Sequence, residues 1–453
     1  MKFFAKYQQV IGEINWYAFL AFLAVLPYDH SLSRPIWMVW LVSWLLECRF
    51  LTKPAAFGNP AERRKLIPFI GLAVWFLWGA VSMLWAENQH EAQGALMRNF
   101  DLFFLLFPAI WGLNGRYNWQ TALKVFVVSC LISVFVYLLA HYWVMNHLRA
   151  VNRYHNFYFS FDWLHLTDFT LNLKHRLQYT TLLCLCFPSV ILLAKENIAA
   201  LGRVHTFVFA ALAFVVLSLA VYWTGSREAL INISAVFATA AVLALPASKR
   251  LWGTVAVIAF VAIASFALLK FHPRFNEVPL KEYFRITDDP LRPSVEPRYA
   301  IWHTALEHPE EYSLHGVGVG QCSGYLVKKY EKNGWVVFIQ RRYHSHNQYL
   351  CTWIELGFAA MLFFILVWLS VPFVFQGRAR YFAVFFTEIL MLDMCTDNML
   401  GGIEGIFFAA AGLLVLLVIP PSRSDALSRQ SASAVQQPAD GQAVSSPSVS
   451  AQG

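Results

Sequence analysis

Three side chains in this sequence have the chemistry to hold a phosphate-like anion and to move a proton beside it. Arg176 stands in Lys174-His175-Arg176-Leu177-Gln178, Arg227 in Thr224-Gly225-Ser226-Arg227-Glu228, and His346 in Tyr343-His344-Ser345-His346-Asn347-Gln348-Tyr349. Each marks a point where polar sequence gives way to an apolar stretch. A guanidinium fork matches phosphate oxygens in pairs and does not lose its proton. A helix N-terminus beneath an imidazole attracts anions and favours the neutral ring, which can take a proton at neutral pH. Two arginines beside such a ring suit a lipid-linked pyrophosphate whose leaving group must be stabilised.

Each residue also has a plainer reading. Either arginine can reach a lipid headgroup or pair with a local carboxylate, Glu228 being the obvious partner for Arg227. His346 can cap a helix or bond to lipid. His344 and His346 form a His-x-His pair of the kind that binds metals, but no clear further carboxylate or His stands close in sequence, and His344 reads as a support for His346.

The elements that must position these residues follow from composition. Of 453 residues 58% are hydrophobic and 14% charged, whereas soluble domains carry roughly 25% charged residues. Apolar stretches recur at 14–32, 35–51, 67–86, 99–113, 121–146, 177–194, 206–224, 229–246, 252–270, 347–375, 381–399 and 403–420. They predict an all-α integral membrane protein with about twelve transmembrane helices. The fourth is short and flanked by Arg98 and Asp101. Lys2 and Lys6 precede the first stretch without a small-residue cleavage site, which reads as an uncleaved span.

Every second connection is basic: Lys53, Arg63, Arg64 and Lys65; Arg116; Lys195 and Arg203; Lys249 and Arg250; Arg378 and Arg380; and Arg423 in the tail. The positive-inside rule then puts both termini in the cytoplasm and Arg176, Arg227 and His346 together on the outer face. The net charge of +8 is spread through these connections, which points to lipid headgroups and away from nucleic acid.

Residues 1–270 thus carry nine spans, with an outer loop at 147–176 rich in aromatics and His. Tyr154, His155, Phe157, Tyr158, Phe159, Phe161, Trp163 and His165 make that loop a place for sugar stacking or a lipid groove. Residues 271–346 form a large outer loop, with ten basic and nine acidic residues between Arg274 and Arg342, enough for a small folded cap. Residues 347–420 hold the last three spans, and 421–453, rich in Ser, Gln, Ala and Pro, read as a disordered cytoplasmic tail.

Seven cysteines, nearly all in or beside spans, imply no disulfide framework, and Cys184 and Cys186 would point to different helix faces. The Gly316 to Gly320 run lacks the Lys-Ser/Thr of a phosphate loop and reads as a turn packed closely under the cap. Glu355, Glu388, Asp393, Asp397 and Glu404 lie in or near spans and must face protein or water; Asp397 and Glu404, near the outer end, could orient basic residues. For Glu388 and Asp393 hydrogen bonds between helices are expected.

His346-Asn347, nine further residues and Gly357 resemble the His-(Asn/Ser/Gln)-x9-Gly signature of the O-antigen ligase and polymerase superfamily. Gly225-Ser226-Arg227 is similar to that family as well, as is the run from Arg298 through Trp302, His308-Pro309 and Gly316-Val317-Gly318-Val319-Gly320. The resemblance covers the region from about residue 170 to about 365. Where members often carry a second glycine three residues after the motif glycine, this chain has Ala360. The segment around Arg176 matches by position and chemistry more than by a tight motif.

Members transfer a glycan from undecaprenyl pyrophosphate to an acceptor hydroxyl on the outer side of the bacterial inner membrane, with no nucleotide, metal or other cofactor. The resemblance implies His346 as general base on the acceptor, and Arg176 and Arg227 as holders of the pyrophosphate. Asn347, Lys174, His175, Arg298 and His344 are the implied substrate contacts. The implied partners are the lipid-linked glycan donor, a lipid A-core or glycan acceptor, and membrane lipids. A ligase that attaches O-antigen to lipid A-core is favoured over a polymerase, and a protein O-glycosylating transferase fits the same core. A twelve-span transporter is the alternative of another class; transporters place ionisable groups near mid-membrane on broken helices and are often built from repeats, of which none is seen here.

Overall fold

The computed structural model describes residues 2–28, 30–58, 60–113, 115–150, 176–224, 226–256, 259, 263, 282, 284–287, 289–291, 293–294 and 296–420. The described residues are helical, with one isolated bridge between Ile286 and Ser294 and no other β-structure. The principal helices are α1 (Lys2–Val25), α2 (His30–Leu46), α3 (Pro60–Ser82), α4 (Gln89–Phe104), α5 (Leu106–Trp111), α6 (Trp119–Ala150), α7 (Arg176–Leu201), α8 (Arg203–Trp223) and α9 (Arg227–Ala244). They continue with α10 (Pro297–Leu306), α11 (Cys322–Lys332), α12 (Val336–Arg341), α13 (Gln348–Leu356), α14 (Phe358–Val374), α15 (Gly377–Thr396) and α16 (Ile403–Val418).

Helices cover each apolar stretch named above among the described residues, and five are both long and apolar enough to cross a membrane: Glu62–Trp85, Gln89–Trp111, Trp119–Ala140, Gln178–Asn197 and Arg203–Val221. This is an all-α membrane protein. The ninth stretch, 252–270, lies mostly outside the described residues, as do 151–175, with Lys174 and His175, and the tail at 421–453.

Two boundaries differ from expectation. The fourth stretch begins at Gln89, ten residues before the expected start at 99, because Asn88 caps α4 by accepting from the N–H groups of His90 and Glu91. Of its charged residues, Asp101 accepts from Trp37 Nε1 at 2.7 Å. The apolar stretch 347–375 is broken at Gly357, whose φ of 89° is open to glycine and which separates α13 from α14. A Cβ there would come within 2.6 Å of the Leu314 carbonyl oxygen.

One large apolar core joins α1–α9 and α14–α16, with Trp37, Trp40 and Trp368 fully buried. A second, smaller core belongs to the cap. There Ile301, Tyr312, Leu326, Tyr330 and Trp335 pack against Leu350, Cys351 and Ile354, so α13 is part of the cap's core although its sequence is continuous with α14. The cap is fastened to α4 and the end of α3. Gln321 accepts from the Asn88 N–H at 2.9 Å and donates to its carbonyl at 3.0 Å, and Ser82 Oγ accepts from the Val319 N–H at 2.9 Å. The Gly316–Gly320 run makes this approach possible, with φ of 75° at Gly316 and 103° at Gly318, and a Cβ at Gly316 would overlap the Glu355 carbonyl.

Helix α7 gives the scale. Gln178 lies near its start and Glu196 near its end, eighteen residues apart, which at 1.5 Å per residue is about 27 Å, close to the thickness of a bilayer's hydrocarbon core. Near Glu196 the basic connections gather: Arg378 bonds Glu196 at 2.6 Å and lies 5.8 Å from the Trp119 ring, while Lys195 lies 4.9 Å from that of Tyr381. The cap sits at the other end.

Candidate functional site

At the cap end, the turn between the cap and α13 holds His346 in an unusual backbone conformation. Its φ is 44°, one of three positive values at non-glycine positions among the described residues. Such conformations cost of order 1–3 kcal/mol and persist where the surroundings over-determine them. Here Trp302 Nε1 donates to the Ser345 carbonyl at 2.7 Å, and Ser345 Oγ donates to the Asn347 carbonyl at 2.8 Å. Asn347 is the cap of α13, accepting from the Leu350 N–H at 2.9 Å, and it donates to the Cys395 carbonyl at 3.1 Å. Its sequence-predicted substrate contact is therefore joined to a structural duty, and the helix N-terminus belongs to Asn347 rather than to His346.

The segment after α15 closes on this turn from the other side. The Gln348 N–H donates to the Asp397 carbonyl at 3.1 Å, and the Leu400 N–H to Gln348 Oε1 at 2.7 Å. This brings Asp397 Oδ1 to 3.3 Å from His346 Nδ1. The carboxylate is nearly buried at 8% exposure, and its Oδ1 also accepts from the Asn398 N–H at 2.9 Å. A carboxylate on Nδ1 selects the tautomer protonated there and leaves Nε2 as the basic nitrogen.

His344 stacks beside this pair, its ring 4.0 Å from that of His346, and its Nδ1 accepts from the His346 N–H at 3.1 Å. His344, His346 and Asp397 place ligand-type atoms within 4.8 Å of one another, so the carboxylate that the His-x-His pair lacks in nearby sequence is supplied from across the fold. Nδ1 of His344 and Nδ1 of His346 are both engaged within the protein.

Arg298, in the first turn of α10, forms an ion pair with Glu228 at 2.8 Å. Glu228 Oε2 accepts from Ser226 Oγ at 3.0 Å, and Ser226 Oγ in turn caps α9 by accepting from the Ala229 N–H. The described partners of Glu228 are thus a cap arginine and the α9 cap, where the sequence offered its neighbour Arg227. Arg227 opens α9 and Arg176 opens α7; their side chains lie outside the described residues.

Below His346 a chamber of about 330 Å³ extends between the cap and the bundle. His344, His346 and Asp397 line it together with Gln178 of α7, Arg98 and Asn99 of α4, Trp75 of α3, and Glu355 and Cys351 of α13. The start of α7, two residues beyond Arg176, therefore shares one cavity with His346. Arg98 and Gln178 were not marked as site residues in the sequence; the one signal for Arg98 was a charge at the edge of an apolar stretch.

Two other acids, deeper in the bundle, serve packing as expected. Asp393 accepts from Asn232 at 2.6 Å and from Thr181, and Glu388 accepts from Thr239 at 2.7 Å. These bonds link α15 to α7 and α9 and fix the helices whose ends frame the chamber.

Residues 212–365 match a family described as O-antigen ligase. The match contains Arg227, Arg298, His346 and Gly357 and leaves Arg176 outside. No curated protein matches the chain. The matched segment, about a third of the chain, supports a relation to the O-antigen ligase and polymerase superfamily, whose members are glycosyltransferase-like enzymes.

Proposed function

We propose that this protein transfers O-antigen polysaccharide from undecaprenyl pyrophosphate to a lipid A-core acceptor at the periplasmic face of the inner membrane. The observation that carries the reading is the His346–Asp397 contact at the mouth of the chamber, at the end of the bundle where α7 and α9 begin. In this reading twelve spans cross the membrane and both termini are cytoplasmic; the gathering of Lys195, Arg378 and Glu196 about 27 Å from Gln178 supports it.

His346 Nε2 takes the proton from the acceptor hydroxyl as its oxygen bonds to the anomeric carbon of the donor. The bond from that carbon to the pyrophosphate oxygen breaks, and undecaprenyl pyrophosphate leaves with the electron pair. Arg227 and Arg176 meet the charge that builds on the leaving oxygen. Attack opposite the leaving group inverts the anomeric centre. No nucleotide is needed, since the sugar–pyrophosphate bond supplies the driving force, and the family resemblance implies a metal-independent reaction. Lys174, His175, Arg298, His344 and Asn347 are the surrounding contacts; Arg298 acts through Glu228, which lies next to Arg227 in sequence.

The test is the lipopolysaccharide of a deletion strain carrying the wild-type chain or His346→Ala. The expected result is inserted, folded protein with no attached O-antigen and long lipid-linked chains accumulating. Normal laddering with His346→Ala rules out the base assignment. A single attached repeat in the deletion strain would make the enzyme the polymerase, which shares the donor and differs in its acceptor.

A further inference from the structure

The walls of the chamber hold polar groups that the fold does not use. Asn99 and Gln178 are 8% and 9% exposed, and neither side chain has a hydrogen-bond partner among the described residues. The buried atoms left unsatisfied around this one cavity are Trp75 Nε1, Arg98 Nε, Asn99 Oδ1, Gln178 Oε1 and Asn398 Oδ1. Arg98 forms no ion pair with any described residue. An unsatisfied buried polar group costs about 1–3 kcal/mol, so five in one cavity is a heavy cost to stability unless an occupant relieves it.

From this we infer that the chamber is a sugar subsite, holding one hexose-sized ring beneath His346 through Arg98, Asn99, Gln178 and Asn398. The inference rests on the transferase reading and deepens it. The unsatisfied atoms include both donors, on Trp75 and Arg98, and acceptors, on Asn99, Gln178 and Asn398. Hydroxyl groups both donate and accept, so a polyhydroxylated ring serves both kinds. A phosphate would serve only the donors, and it would face Asp397 and Glu355, which line the same chamber against the single cation of Arg98. A volume of about 330 Å³ is at the small end of ligand pockets and has room for a hexose ring. The ring can be the donor's first sugar or the acceptor's terminal sugar, since both must meet at His346.

The experiment uses the full-length protein in nanodiscs, with a lipid-pyrophosphate-linked glycan as donor and lipid A-core as acceptor. Asn99→Leu and Gln178→Met keep the size of each side chain and remove its polar atoms. The expected result is a KM raised about tenfold or more for one substrate, with an unchanged pH profile of kcat and a melting temperature equal to or above that of the wild type. The substrate whose KM moves identifies whose ring is bound. Unchanged KM for both substrates, or a lowered melting temperature with loss of kcat alone, would overturn the inference and make these amides structural. Failure of the transferase reading has its own outcome: wild-type protein that transfers no glycan, or His346→Ala that still does.

Discussion

Asp397 and His346 meet at 3.3 Å across 51 residues of sequence, one at the end of α15 and the other in the turn before α13. The carboxylate faces Nδ1, and the ring's other nitrogen is left for the chamber. Asp397→Asn keeps the size of the side chain and an oxygen for the Asn398 N–H, but an amide no longer holds the Nδ1-protonated tautomer with a full charge. Transfer should fall about a hundredfold or more, with KM for both substrates little changed, in a steady-state assay. A turnover within twofold of wild type would leave Asp397 with only its backbone role toward Gln348.

Arg298 and Glu228 tie the cap to the start of α9, the helix that Arg227 opens. Glu228 is largely buried, with 12% of its side chain exposed, while Arg298 keeps 30%. Removing one partner leaves the other charge poorly solvated. A double-mutant cycle with Glu228→Gln and Arg298→Gln, read by thermal unfolding, should give a coupling of about 1 kcal/mol or more. Additive effects would mean that the pair does not fasten the cap.

Comparing these two pairs shows what the sequence could and could not disclose. Apolar stretches locate helices because each must be long and apolar enough for lipid, and Asn347 reads as a cap from its place before an apolar run. Asp397 stood out as an acid near a helix end, a position too costly for a carboxylate without a duty. Its choice of His346 as partner depends on how the segment after α15 folds back over α13, which no local pattern encodes. Glu228 shows the same limit: its partner Arg298 stands seventy residues on in the cap, a pairing that no local pattern encodes. The break at Gly357 was hidden because α13 is apolar for the cap's core and α14 for the bundle, and apolarity alone cannot separate the two. Arg98 and Gln178 were missed because they sit inside apolar helices, where only the tertiary fold turns them toward a cavity.

A second chemical handle lies in the cap. Lys329 donates to Glu311 at 2.6 Å, and Tyr325 OH donates to the other carboxylate oxygen at 2.9 Å. The Lys329 bond is the foremost cause holding the Glu311 carboxyl below the usual carboxylate range. Because the folded-state value is depressed, the stabilisation is present above the unfolded value of about 4.3 and is lost as pH falls through the folded value. Lys329, only 7% exposed, is then left without its counter-charge. Protection of the α11 amides, the intrinsic exchange rate relative to the observed one, should be flat from about pH 7 to 5 and fall below about 4, and Glu311→Gln should flatten the acid limb. An acid limb of the same steepness in Glu311→Gln would assign it to other carboxylates.

The glycines separate backbone conformation from close packing. Gly316 and Gly334 share a left-handed backbone, with φ of 75° and 70°. A Cβ at Gly334 meets nothing within 4 Å, whereas at Gly316 it would collide with the Glu355 backbone in α13. Gly334→Ala should therefore cost only the backbone term, about 1 kcal/mol. Gly316→Ala adds displacement of α13, whose first residues set the turn at His346, and should cost about 4 kcal/mol or more. It should also lower transfer by more than the fraction that unfolds, because the chamber wall formed by Glu355 moves with the helix. Thermal unfolding of the two variants side by side decides the matter. Equal losses would show that the cap yields at Gly316 and that its approach to α13 is not tight.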